Sequence, residues 1–263
     1  MSFSEKESKI IDATSRLILR KKQSISIAKL KTLIESKKFT PTSQDILYLW
    51  NIFSNESDYP TEVYWEKLEI ILNTKVKFDS VCHYPVLLRV ATSEIIMARN
   101  KKRMATLEKT IKRLIEAGFH PDYEDCNTKL KYRINPLSQL ISRNCMNSAK
   151  ILLEAGASTE NAWFAPVGKI AGAMSNKETI EVYDFIAPYG QPEHRHEVLF
   201  YILSTKHYSN LVKIMFDNHQ KYDIDWSYTD EEGTSIADYA QIWYPKEFLA
   251  AILKDEKEHK ITV

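Results

Sequence analysis

Glycine is scarce, at six in 263 residues. So few glycines leave little room for phosphate-cradling loops or for tight hairpin turns that need positive φ. Cysteine is scarcer: Cys82, Cys126 and Cys145 are all there is, with no C-x-x-C spacing. An odd, sparse set argues against a disulfide framework and against a structural zinc site. No apolar run approaches the ~18–20 residues of a membrane span, and the first residues carry no apolar signal core. Charge of one sign is missing too, since 36 Lys and Arg stand against 35 Asp and Glu for a net charge of +1. A nucleic-acid binder normally shows a concentrated basic face, so nucleic acid is not an expected partner. These absences lead to the expectation of a soluble, cytoplasmic protein in a reducing compartment, without membrane contact. Delivery into another cell is compatible with that expectation.

The composition that is present, 44% hydrophobic and 27% charged, is that of a globular chain. Its organisation shows in self-similarity. Leu107–Gly118 aligns with Met146–Gly156 when the two Ala-Gly pairs are superposed. Each segment reads as an amphipathic helix closed by a glycine, with apolar residues such as Ile111, Leu114 and Ile115 at helical spacing. Weaker copies cover Ile27–Lys37, Trp65–Lys75, Thr179–Gly190 and Asn210–Asn218. The spacing predicts helix ends near 37, 75, 118, 156, 190 and 218, a drifting period that suits a two-helix repeat. Partner helices are expected over 43–53, 84–99, 135–143, 165–174 and 193–203. No alternating strand pattern of useful length occurs, and no Gly/Ser/Pro-rich linker divides the chain. The expectation is one all-α domain over 1–263. Residues 1–24 would hold a capping helix, 25–253 the repeats and 254–263 a polar tail.

Asn135–Ser158 resembles the ankyrin repeat family. Pro136 and Leu137 match the start of the family's first helix, and Leu152 through Ala157 match its Leu-Leu-Glu-Ala-Gly-Ala helix end. Asn135 stands in place of Thr, Ser138 of His, Gln139 of Leu, and Asn144 of the glycine between the helices. Asp223–Ala240 looks like the hairpin finger and first helix of a terminal repeat, with Gly233, Thr234, Ala237 and Ala240 in family positions. The match is good over 107–158 and 211–253 and only rhythmic over 25–105 and 160–205. The resemblance implies an α-solenoid of about six helix-turn-helix repeats that binds a protein through its hairpin tips and concave helical face.

Reactive groups do not converge in the sequence. His194, His196 and Glu197 suggest a metal cluster, yet two histidines at i and i+2 do not share a helix face. Cys82 and His83 suggest a thiol and its base, yet adjacent residues rarely point at each other. The carboxylates Glu124 and Asp125, and Asp230, Glu231 and Glu232, fall in expected loops and read as solvated turns. The basic run Arg99, Lys101, Lys102 and Arg103 reads as a solvated loop that could touch phosphate or an acidic partner. The aromatics Tyr123, Tyr132, Trp163, Phe164, Trp226 and Tyr228 lie in or beside expected inter-repeat loops. Large aromatics in loops either pack back on the fold or anchor a partner. With Arg143 on the neighbouring first helix, they form the expected partner-binding set, on fingers around 122–132, 160–165 and 222–231. No catalytic residue, metal or cofactor is expected. The function expected is a non-enzymatic protein-interaction module, such as a bacterial or viral effector or adaptor. The alternatives are an immunity-type protein that neutralises a cognate toxin, and an enzyme on a divergent repeat scaffold.

Overall fold

Helical periodicity governs every described stretch of the chain. The computed structural model describes residues 26–55, 59–74, 86–92, 101–122, 135–167, 174–205 and 208–261. Among them the fold is all-α, and the one β feature is an isolated bridge between Thr229 and Ser235. The residues gather into two compact units, Met1–Asn127 with Cys145–Ala155, and Thr128–Asn144 with Gly156–Val263.

The first unit contains α1 (Ile27–Glu35), α2 (Ser43–Asn55), α3 (Thr61–Leu72), α4 (Val86–Ala91), α5 (Lys101–Glu116) and α7 (Met146–Glu154). Packing skips along the chain: α1 lies on α3, α2 on α4, α4 on α5 and α5 on α7, while α2 and α3 also pair directly. Leu30 of α1 is buried with Leu33, Ile34, Phe39 and Ile70 around it. An aromatic stack joins α2 to α3, with Phe53 on Tyr64 at a centroid distance of 4.4 Å. The Tyr64 hydroxyl reaches Thr110 of α5 at 3.0 Å, which satisfies a polar group that is otherwise fully enclosed.

The second unit contains α6 (Pro136–Ser142), α8 (Glu160–Trp163), α9 (Asn176–Ile186) with a 3-10 turn Ala187–Tyr189, α10 (Pro192–Thr205), α11 (Ser209–Asp217), α12 (Ile236–Trp243) and α13 (Pro245–Ile261). Two interleaved series run through it. In one, α6, α8, α10 and α12 pack in succession; in the other, α9, α11 and α13 do. The starts of α6, α9 and α12 carry reciprocal capping boxes, Asn135 with Ser138, Ser175 with Glu178 and Ser235 with Asp238. Each box satisfies backbone donors that the first turn of a helix leaves unpaired.

The helix stops expected near 37, 118, 156, 190 and 218 are present, for more than one physical reason, while the position at 75 lies outside the described residues. Gly118 has φ +92°, and the Phe119 amide donates to the Leu114 carbonyl at 3.1 Å, closing α5 in a Schellman turn. Gly156 after α7 has φ +87°. At Lys37, the expected counterpart of these glycines, the backbone is also left-handed at φ 56°, and Lys38 donates to Leu33 in the same pattern. Asn144 between α6 and α7 has φ 58° and uses the tolerance of Asn for that region. Gly190 is different: its backbone is extended at φ −88° and ψ 149°. A Cβ there would stand 2.8 Å from Thr159 Oγ1 and 3.1 Å from Trp163 Nε1, so this glycine serves close approach.

The partner helices expected over 43–53, 135–143 and 193–203 correspond to α2, α6 and α10. Over 84–99 the described helix is the shorter α4. Most of the helix expected over 165–174, residues 168–173, lies outside the described residues; of the rest, 165–167 form a turn and 174 lies outside any helix. The described helix in this part of the chain is α8, which falls where a finger at 160–165 was expected. Residues expected to form a polar tail from 254 continue α13 as far as Ile261. The capping helix expected within 1–24 lies outside the described residues.

Candidate functional site

Among the described residues, the loop between α11 and α12 is the most fully built of the expected fingers. Asp223 adopts φ 51° at its base. Asp225 accepts from the Ser227 amide at 2.9 Å and hydroxyl at 2.6 Å, and these bonds hold its carboxyl below the usual range. Asp230 accepts from the amides of Glu232 and Thr234 at 3.1 and 2.8 Å. The acidic residues here therefore shape turns, as Asx side chains commonly do. The bridge from Thr229 to Ser235 closes the finger and delivers the chain into the capping box of α12.

Trp226 and Tyr228 stand on this loop, each half-buried. The Trp226 ring meets Phe216 and Phe248 edge-on, both at 5.2 Å, with His219 at 5.4 Å. Tyr228 stacks on His196 of α10 at 4.6 Å. Both rings use one side to fasten the loop to the helices and keep part of their surface in solvent.

Trp163 has the opposite placement. It is 0% exposed, stacks on Tyr183 at 5.0 Å and meets Tyr222 edge-on at 6.0 Å. The Arg195 guanidinium lies 5.9 Å from its ring centroid and donates to the Tyr222 carbonyl. The Tyr222 hydroxyl donates to Asp184 at 3.1 Å, and Lys221 pairs with the same carboxylate at 2.6 Å. A ring with no exposed surface has no face to offer a partner, so the expected anchor at Trp163 is corrected to a core residue. Phe164 is buried as well, against Tyr201 at 5.8 Å. Arg143 ends α6 and is half-buried. Tyr123 and Tyr132 lie outside the described residues.

Four polar atoms in this region are buried without a hydrogen-bond partner among the described residues: Trp163 Nε1, Tyr183 Oη, Arg195 Nε and His196 Nδ1. Each such group costs about 1–3 kcal/mol. His196 Nε2, by contrast, accepts from the Asp225 amide at 2.9 Å, pinning the finger to α10. An imidazolium carries a proton on both nitrogens and could not accept that bond. Burial first, and then the neighbouring Arg195 charge, lower the His196 pKa from its ordinary 6.5, against the opposing pull of Asp225 and Asp223. The unfolded chain then binds the proton more readily than the folded one. The stability this site contributes is complete above pH 6.5 and is lost as pH falls from there through the lowered folded value. The parent should therefore lose more melting temperature than His196→Gln between about pH 7.5 and 5.5. Equal losses would disprove the neutral, accepting imidazole.

The other chemical candidates are engaged elsewhere. His194 Nδ1 meets Thr159 Oγ1 at 3.1 Å, away from the His196 bond, so the two histidines do not converge. No group of three His, Cys, Asp or Glu among the described residues could hold a metal ion. Arg103 donates to the Phe53 and Ser54 carbonyls at 2.6 and 3.1 Å and covers the Phe53 ring, tying the end of α2 to α5. Cys82, His83, Glu124 and Asp125 lie outside the described residues. No described helix is long and apolar enough to cross a membrane.

No protein-family model, no curated protein and no solved structure matches this chain.

One surface was missed in the sequence. Ile242, Trp243, Leu249 and Leu253 are exposed at 63, 43, 58 and 46%, all on α12 and α13. The available signal was the unbroken apolar run from Phe248 to Leu253, which no single helix face can bury.

Proposed function

We propose that the chain is a non-enzymatic protein-binding module of about six ankyrin-type repeats, which takes a protein partner on its fingers and helical face. The observation that carries this reading is the finger between α11 and α12. Its backbone is braced by Asp225, Asp230 and the Thr229–Ser235 bridge, and it holds Trp226 and Tyr228 half in solvent. A loop ordered before binding spends little entropy on ordering during it. Half-exposed Trp and Tyr rimmed by polar groups are typical of binding hot spots. The packing of helices on the next but one, α1 on α3, α2 on α4, α5 on α7 and both series of the second unit, supports the repeat reading.

The test is affinity capture on the immobilised full chain from a lysate of the source organism. The parent is compared with a variant carrying Glu231→Arg and Glu232→Arg, two exposed positions on the finger. A protein retained by the parent and lost from the variant, with melting unchanged, supports the proposal. Retention of nothing specific, or of the same proteins by both, overturns it.

A further inference from the structure

On α10, Glu193, Glu197 and Phe200 recur at four- and three-residue spacing and so share one face. Phe200 links that face to the finger and to α12. It meets Tyr228 at 5.9 Å and Tyr239 edge-on at 5.7 Å. All three rings are half-buried, and His196 covers one face of Tyr228. Three elements thus build one aromatic ledge beside the finger. At those separations the rings touch one another and leave no hollow between them.

Carboxylates rim this ledge. Glu193 and Glu197 lie beside Tyr228, and Asp230 and Glu232 beside Tyr239. Glu160 of α8 stands against Glu197. From Tyr222 to Tyr244 the chain has six carboxylates and no lysine or arginine, although the whole chain is balanced at 36 basic to 35 acidic residues. Two neighbouring cations are engaged elsewhere. Arg195 is buried and donates to the Tyr222 carbonyl, and Lys221 pairs with Asp184. Partial desolvation first, and then Glu160, raise the Glu197 pKa above its ordinary 4.5, with His194 opposing and Glu193 adding. A cation placed here would relieve that repulsion.

We propose that this ledge takes arginine side chains from a segment of the protein partner, an assignment that rests on the finger being a partner surface. Charge complementarity selects a cation. The rings select arginine over lysine. A planar, weakly hydrated guanidinium stacks on an aromatic face, whereas a compact ammonium holds its water. A caged ammonium would need a hollow that these touching rings lack. An acidic segment would meet repulsion, and an uncharged one would cover the carboxylates without pairing them.

Peptides selected from a random phage-displayed library on the immobilised full chain should be rich in arginine. In fluorescence anisotropy, the leading peptide should bind the double variant Glu193→Gln, Glu197→Gln about tenfold more weakly than the parent. That variant should keep the parent's circular-dichroism melt, because both side chains are exposed. The same peptide with each arginine replaced by lysine keeps its charge, and should also lose about tenfold on the parent. Selected peptides without arginine overturn the proposal. If their binding is lost in Glu231→Arg, Glu232→Arg, the finger remains a partner surface and only the arginine assignment falls. Arginine peptides that bind parent and glutamine variant equally overturn it, as do lysine forms that bind as tightly. A library that yields no binder overturns it too, while lysate capture still decides the wider reading on its own.

Discussion

Trp163→Ala is expected to lower the stability of the protein by about 3 kcal/mol, the low end of the range for a buried Trp truncation. The ring is fully enclosed and touches Tyr183, Tyr222 and Arg195. Its removal forfeits that packing and opens a cavity between α8, α9 and the start of the finger. One effect works the other way: Trp163 Nε1 has no acceptor among the described residues, so the alanine also relieves an unsatisfied donor. That relief is what brings the estimate to the low end. Trp163→Phe keeps most of the stacking and drops the N–H, so it should cost far less. Chemical denaturation of the three proteins provides the check. A Trp163→Ala variant as stable as the parent would remove this residue from the core.

Leu152→Ala should cost about 2–5 kcal/mol, by loss of buried methyl groups and a residual cavity. Leu152 is 0% exposed on α7, and α7 packs on α5, where Leu107, Ile111 and Leu114 are equally enclosed. Its neighbour Ile151 is only half-buried. Ile151→Ala therefore loses contact on one side only and should cost clearly less. A reversed order of the two denaturation midpoints would show that the helix is rotated from its assigned register.

Local chemistry carried most of the helical plan. Apolar residues at three- and four-residue spacing face one way on a helix whatever surrounds it, so the stripes of α5, α7 and α11 could be read from residue types. The helix stops were legible for the same reason. Many helices end at a residue with positive φ, and Gly118, Gly156 and Asn144 are of the kind that tolerates it. Lys37 was found by alignment alone, since nothing in a lysine announces φ 56°.

Burial of the aromatics was not legible. Trp163 and Trp226 were both expected in or beside loops. Yet Trp163 lies on a four-residue helix inside a ring cluster and Trp226 stands half in solvent. The difference comes from Tyr183, Arg195 and Tyr222, which are 20 to 59 positions further along the chain and meet Trp163 only when α8, α9 and α10 pack. The glycine at 190 shows the same division: its place at a helix end followed from sequence, but its need for a missing Cβ came from Thr159 and Trp163 across the fold.

The sequence by itself determined the all-α class, the positions of most helices and their stops, because these rest on periodicity and backbone preference within a few residues. Only the tertiary structure decided which aromatics are core and which face solvent, that His196 anchors the finger as a neutral acceptor, and that Ile242, Trp243, Leu249 and Leu253 stand exposed. Those outcomes depend on contacts between residues far apart in the chain, and local pattern carries no record of them.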